Sequence, residues 1–189
     1  GPENPNTITS YANLGSAYYK LKDYRRSDSL QMLAYDAWML KFGPYHNYTV
    51  SVLYNLANSK YSQRDFGKAL TYYEKVLEAD VKNLGDDHPY VAGDYVSMGM
   101  TLQAMKKFNE AEKSYKKAFK IYLDRLGEKS RKVVNVYANL GDLYGELNDM
   151  VKAKINYTKA IELSKEVLGE DHPYYQGLVN EWAELRSTQ

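Results

Sequence analysis

Three asparagines, Asn13, Asn55 and Asn139, stand on one ruler: each lies a whole number of 42-residue steps from the others, with Ser97 on the fourth mark. A primary amide both donates and accepts, so a series of them can pair with the N–H and C=O of an extended backbone without demanding a particular side chain. The competing explanation is that these amides only solvate an exposed helix face. Asparagine is a poor residue for a helix interior, and its return at one register favours recognition over chance. Three histidines, His46, His88 and His172, raise the question of a metal. Each sits between helices of a different repeat with no second ligand at local spacing, which favours capping or loop roles. Neither a phosphate-binding loop, a nucleophile triad nor a clustered carboxylate pair occurs. No catalytic residue, metal site or cofactor is therefore expected. The basic run Lys106, Lys107, Lys113, Lys116, Lys117 and Lys120 alternates with Glu110 and Glu112, which reads as a solvated outer helix face rather than a nucleic-acid surface.

The elements that position these residues are written by the same ruler. Tyr11-Ala12-Asn13-Leu14-Gly15 returns letter for letter as Tyr137-Ala138-Asn139-Leu140-Gly141, three periods of 42 later, with intermediate versions at Leu53 to Ala57 and Tyr95 to Gly99. Apolar residues at spacings of three and four predict a first helix of each pair (helix A) at about 7–21, 48–63, 90–105 and 132–147. The second (helix B) is expected at about 24–42, 66–84, 108–126 and 150–168. Each B helix is expected to stop on an αL glycine, Gly43, Gly85, Gly127 or Gly169, before a polar residue and, at 89 and 173, a proline restart the chain. Small residues recur where helices must cross, as Gly15, Ala57, Gly99 and Gly141 in A and Ser27, Ala69, Ala111 and Ala153 in B. The expected division is a lead-in at 1–6, repeats at 7–47, 48–89, 90–131 and 132–173, and a capping helix or truncated repeat at 174–189 that turns Trp182 and Leu185 to the last pair.

Composition narrows the function. Lys and Arg exceed Asp and Glu by 25 to 24, which supplies no field for nucleic acid or an anionic membrane. The absence of cysteine fits a reducing compartment, and no run of 18 apolar residues suggests a membrane span, so the cytoplasm is the expected location. Gly1-Pro2 resembles the remnant of a protease cut, and the expectation is a part of a longer protein. The triplets at Asn47 and Asn156 are weak glycosylation signals.

Leu14-Gly15 with Tyr18, Leu140-Gly141 with Tyr144, and Ala111, Tyr115 and Ala118 or Ala153, Tyr157 and Ala160 resemble the tetratricopeptide repeat (TPR) pattern. The usual repeat is 34 residues; eight more at about 1.5 Å each add roughly one turn per helix, and period 42 with Leu-Gly-x-x-His-Pro linkers resembles the kinesin-light-chain type. Gln31 departs from the pattern by replacing the helix B aromatic of repeat one. The resemblance implies an all-α, right-handed α-solenoid of four helix-turn-helix repeats, whose concave A-helix face binds extended peptides. Carried onto this chain, the groove positions are Asn13, Asn55, Ser97 and Asn139, then Ser16, Asn58, Met100 and Asp142, then Tyr19, Tyr61, Gln103 and Gly145, with Lys20 at one end. The family's carboxylate clamp falls on Ala12, Ser16, Asn55, Gly93 and Ser97, or one repeat later on Tyr54, Asn58, Ser97, Asn135 and Asn139. Neither frame supplies a cation, so that chaperone role is not expected. A charge gradient from Lys20 and Lys60 to Asp142 and Glu146 could orient a peptide. The expected function is a peptide-binding adaptor or scaffold. The alternative is a regulatory or sensor segment of a larger signalling enzyme. Expected partners are proteins or peptides, with self-association through the ends of the array, and neither nucleic acid nor membrane.

Overall fold

A computed structural model describes residues 4–187, and among them all regular structure is helical. The order is α1 (Pro5–Lys20), α2 (Tyr24–Phe42), α3 (Asn47–Ser62), α4 (Phe66–Leu84), α5 (Pro89–Ala104), α6 (Phe108–Leu126), α7 (Arg131–Glu146), α8 (Met150–Leu168) and α9 (Pro173–Ser187). The chain divides into two compact units, residues 1–86 with α1 to α4 and residues 87–189 with α5 to α9. In each unit, consecutive helices pack as antiparallel pairs and each pair stacks on the next.

The B helices begin and end where their periodicity predicts, while each A helix starts one or two residues early. The reason is the cap. Asn4, His46, His88, Ser130 and His172 occupy one register, and each side chain accepts the N–H two residues on; for the histidines the acceptor is Nδ1, at 3.1–3.3 Å. The linker histidines are thus helix N-caps, which satisfy a donor that the first turn leaves orphaned.

The stop signals differ from the expectation. Gly43, Gly85, Gly127 and Gly169 have φ of 77–90° but ψ within about 22° of 180°, the extended glycine-only region rather than αL. Positive φ of the αL sign falls instead on Lys22, Arg64, Lys106 and Asn148, in the turn inside each pair. There Lys22 N–H donates to Tyr19 C=O and Asp23 N–H to Tyr18 C=O, at 2.9 and 3.0 Å, the two bonds of a Schellman motif, and the same two recur in the other three turns. Asp23, Asp65 and Asp149 then cap the following B helix through the N–H three residues on, whereas Lys107 in the same register makes no cap.

The core follows the repeat. Ile8, Ala34, Trp38 and Val52 form one cluster, Val50, Leu53, Val76 and Ala79 a second, and Val134, Ala138, Ala160, Leu163 and Leu178 a third. Gln31 is buried and lies against Gly15, as the rings of Tyr115 and Tyr157 lie against Gly99 and Gly141. The amide fills the aromatic's place. Trp182 stacks on Tyr157 with centroids 5.4 Å apart, and Leu185 covers Gly145, so α9 turns the expected residues to the last pair.

Candidate functional site

The A-helix positions singled out in the sequence separate into two kinds. Ser16, Asn58 and Asp142 each accept a hydrogen bond from the B-helix residue fifteen positions later: Ser16 from Gln31 Nε2 at 3.1 Å, Asn58 from the Tyr73 hydroxyl at 2.6 Å, and Asp142 from the Tyr157 hydroxyl. These side chains bind the two helices of a pair together. Met100 holds the same register and cannot accept well, so the Tyr115 hydroxyl turns one helical step along to Gln103 Oε1, at 2.9 Å. The constant separation was a readable signal, because acceptors at 16, 58 and 142 match donors at 31, 73 and 157 while the exception coincides with methionine.

One turn before these ties lie the amides. Asn13 is exposed, Asn55 and Asn139 are half-buried, and among the described residues none of the three makes a side-chain hydrogen bond. Ser97 Oγ donates to Gly93 C=O at 3.2 Å. Asn135 accepts the Tyr174 hydroxyl at 2.5 Å and so holds α9 on α7. The Tyr19 hydroxyl meets Ser62 Oγ at 2.9 Å, and the Tyr61 ring packs edge-on to Phe66. Lys20 and Met100 are exposed. The structure thus brings Asn13, Ser16, Tyr19, Lys20, Asn55, Asn58 and Tyr61 onto α1 and α3 of the first unit, and Ser97, Met100, Asn135, Asn139 and Asp142 onto α5 and α7 of the second.

Of the four charges in the expected gradient, Lys60 and Glu146 are each paired inside their own unit. Lys60 Nζ lies 2.5 Å from Asp28, which also accepts from Ser59 Oγ at 2.5 Å and Gln63 Nε2 at 2.9 Å. Burial pushes the Asp28 carboxyl up, but the bonds from Lys60, Ser59 and Gln63 outweigh it and leave its pKa below the ordinary value. Glu146 accepts from Gln103 and Lys106, and its pKa is likewise lowered against the cost of burial. Asp142 behaves differently. Its residue surface is accessible, yet its carboxyl is crowded by protein, and that desolvation with the negative charge of Glu146 raises its pKa despite the bond from Tyr157. Burial and the same carboxylate raise the Tyr157 hydroxyl strongly.

Sequence reasoning missed the Asp28 cluster, because Asp28 is one aspartate on a helix surface until its partners on α3 are known. Among the described residues no group of three or more His, Asp or Glu side chains is placed to hold a metal ion. The lysines of α6 lie on its surface, with Lys116 paired to Glu112 at 2.6 Å and Lys117 over the Tyr95 ring.

Comparison with known proteins places this arrangement. Sequence profiles described as tetratricopeptide repeat match residues 7–38, 48–124 and 91–166. No curated protein matches the sequence. Among solved structures, BtubC (BKLC) from P. vanneervenii is 21% identical with a TM-score of 0.76, over 96% of this chain and 76% of that one. The nearly identical TPR-like repeats of a Podosopora anserina protein assigned as a kinesin light chain are 16% identical with a TM-score of 0.80, over 99% and 87%. The apo form of RapI is 16% identical with a TM-score of 0.75, over 89% of this chain and 45% of that one. At these identities the structures share the fold, with its kinesin-light-chain-like helix pairs, and the profile matches carry the family: the chain belongs to the tetratricopeptide repeat family.

Proposed function

We propose that the protein is an interaction module that takes an extended peptide of a protein partner on its A-helix faces, without chemistry of its own. The observation that carries this reading is the difference between neighbouring positions. Ser16, Asn58 and Asp142 accept hydrogen bonds from helix B, while Asn13, Asn55 and Asn139, one turn away, make no side-chain hydrogen bond among the described residues. An amide of this kind can exchange water for a peptide N–H or C=O at little cost, and each such bond contributes about 0.5–1.5 kcal/mol net.

The test is a peptide-array screen with the wild-type chain, followed by titration of the strongest peptide against an Asn55→Ala/Asn139→Ala variant with melting curves alongside. Affinity should fall while the melting midpoint holds or rises slightly, since alanine is the better helix former. Equal affinity would move the partner surface off the A helices, and a matching loss of stability would assign the amides to the fold.

A second reading, a regulatory segment within a larger signalling protein, is favoured by the likeness to RapI and to aspartyl phosphate phosphatase F of Bacillus subtilis, each of which extends well beyond the 45% that this chain spans. A full-length chain whose remaining part changes activity when the array is removed would support it.

A further inference from the structure

The outer face of α8 leaves two aliphatic side chains in water. Val151 and Ile155, one turn apart, are 72% and 62% exposed, where the other B helices carry Arg25, Gly67 or Asn109 and Ser29, Thr71 or Lys113. With Tyr137, Met150, Lys154 and Lys159 they line an open groove of about 870 Å³. Tyr137 is fixed there by the Phe119 ring of α6, which meets it edge-on with centroids 4.9 Å apart. Adjoining apolar side chains exposed among charged groups mark an interaction surface.

Charge says what belongs on this face. Lys154 shares its register with Asp28, Leu70 and Glu112, and the residues thirty-two positions after these four are Arg186, Lys60, Leu102 and Tyr144. In two cases a B-helix carboxylate reaches the A helix that follows it. Asp28 meets Lys60 at 2.5 Å, and Glu112 accepts the Tyr144 hydroxyl at 2.7 Å. A third case has two leucines. The fourth has two cations, Lys154 and Arg186, and no acid. Arg186 lies over the Trp182 ring, 5.3 Å from its centroid, and among the described residues neither cation is in an ion pair. Lys159 is already held by Glu128 at 2.8 Å. Glu162, the groove's own carboxylate, is two turns further along α8, about 12 Å from Lys154 by helical rise.

We propose that the outer face of α8 docks an acidic amphipathic segment of a protein partner, whose apolar side chains cover Val151 and Ile155 and whose carboxylate enters between Lys154 and Arg186. The partner supplies the acid that the chain itself supplies at Asp28 and Glu112. A carboxylate is the group that offsets two neighbouring cations with hydrogen bonds to both. The apolar pair gives a nucleic-acid backbone nothing to bind, and two cations are too few for an anionic membrane, which takes a cluster of roughly four to eight. The face is separate from the amide positions of the A helices and does not depend on the peptide reading.

The test is an array of helical probe peptides, each with two leucines one turn apart and either glutamate or glutamine on the flanking turns, titrated against the whole chain. The wild type should bind the best glutamate probe about tenfold or more tightly than its glutamine twin, with the gap narrowing as salt rises. A Val151→Asn/Ile155→Lys variant, which gives α8 the residues that α6 carries at 109 and 113, should lose about tenfold or more in affinity with unchanged melting, since both positions are exposed. Lys154→Glu installs the acid found at 112 and sets it beside Arg186, so it should abolish the preference for glutamate and melt no lower than wild type. The Asn55→Ala/Asn139→Ala variant should bind the probe as the wild type does. Failure to bind any glutamate probe, equal affinity for the two probes, or either α8 variant binding like wild type overturns the proposal. So does a loss confined to the asparagine variant, which would put the peptide on the A helices, or tighter binding to phosphatidylserine vesicles or a DNA duplex than to the probe.

Discussion

The ring of Tyr157 occupies the space that a side chain on Gly141 would enter: a Cβ built there meets Tyr157 Cδ2 at 2.6 Å. The ring cannot move aside, because Trp182 stacks on one face and its hydroxyl is held by Asp142. Gly141→Ala should therefore cost about 1–3 kcal/mol, the range for overpacking a close contact. Gly67, on α4 with nothing within 4 Å of its built Cβ, is the control, and Gly67→Ala should be neutral or stabilising by about 0.5–1 kcal/mol. Chemical denaturation of the two variants checks both signs, and an unchanged midpoint for Gly141→Ala would mean that α7 and α8 are not held this close.

Much of this was legible beforehand because a period repeated four times fixes helix limits better than any single helix could. The B helices end at Phe42, Leu84, Leu126 and Leu168 because a glycine follows each, and the spacing of those glycines is visible in the sequence. The backbone they adopt was not visible, since glycine tolerates several positive-φ regions and the sequence does not choose among them. The αL residues were hidden for the opposite reason. Lys22, Arg64 and Lys106 carry no local preference for positive φ, and what places them there is the merging of a Schellman turn with the next cap. The candidate groove was read from three registers as one face, and only the pairing of helices showed that Ser16, Asn58 and Asp142 face a donor on helix B.

The missing cap of α6 gives a second prediction. Asp23, Asp65 and Asp149 accept the first-turn N–H of their helices at 3.1–3.3 Å, and Lys107 does not. Its backbone φ and ψ of −88° and 62° match the other three, so an aspartate fits without rearrangement. Lys107→Asp should stabilise the chain by about 1 kcal/mol, the usual value of an N-cap, with a further contribution from a negative charge at the positive helix end. Thermal melting at neutral pH reads it directly. A lower midpoint would show that the contact of Lys107 with Glu110, at 3.8 Å, matters more than the vacant cap.

Asp28 links stability to pH. Burial alone would raise its carboxyl, but the hydrogen bonds from Lys60, Ser59 and Gln63 and the Lys60 charge lower it below its ordinary value of 3.8. A lowered folded-state pKa means that the unfolded chain binds the proton more readily. The stabilisation is complete above the unfolded value and is lost as pH falls through the folded one. Asp28→Ala should cost about 1–3 kcal/mol at pH 7, because the fully buried Ser59 hydroxyl and the Lys60 ammonium lose a shared acceptor. As pH falls below the unfolded value of 3.8 the two midpoints should draw together, and the convergence is complete only where the folded carboxyl itself takes up the proton. A difference that does not shrink at all below pH 3.8 would show that packing, not charge, makes Asp28 important.

The exception in the third pair supplies the last prediction. Tyr115 is buried, and its hydroxyl donates to Gln103 because Met100 stands where the other pairs have Ser16, Asn58 or Asp142. Gln103→Met removes that acceptor, together with the bond from Gln103 Nε2 to Glu146 at 2.7 Å. The expected loss is about 1–2 kcal/mol, near the net value of two hydrogen bonds of which one is partly exposed. Met100→Asn restores the arrangement of the second pair, where Asn58 accepts from Tyr73 at 2.6 Å. On the wild-type background it should change little, since Tyr115 already has its acceptor. On the Gln103→Met background it should recover about half of the loss, so the double-mutant cycle carries a favourable coupling of roughly 0.5–1 kcal/mol. Additive effects would mean that the Tyr115 hydroxyl does not follow the acceptor, and that the fifteen-residue tie in the other pairs is a coincidence of composition.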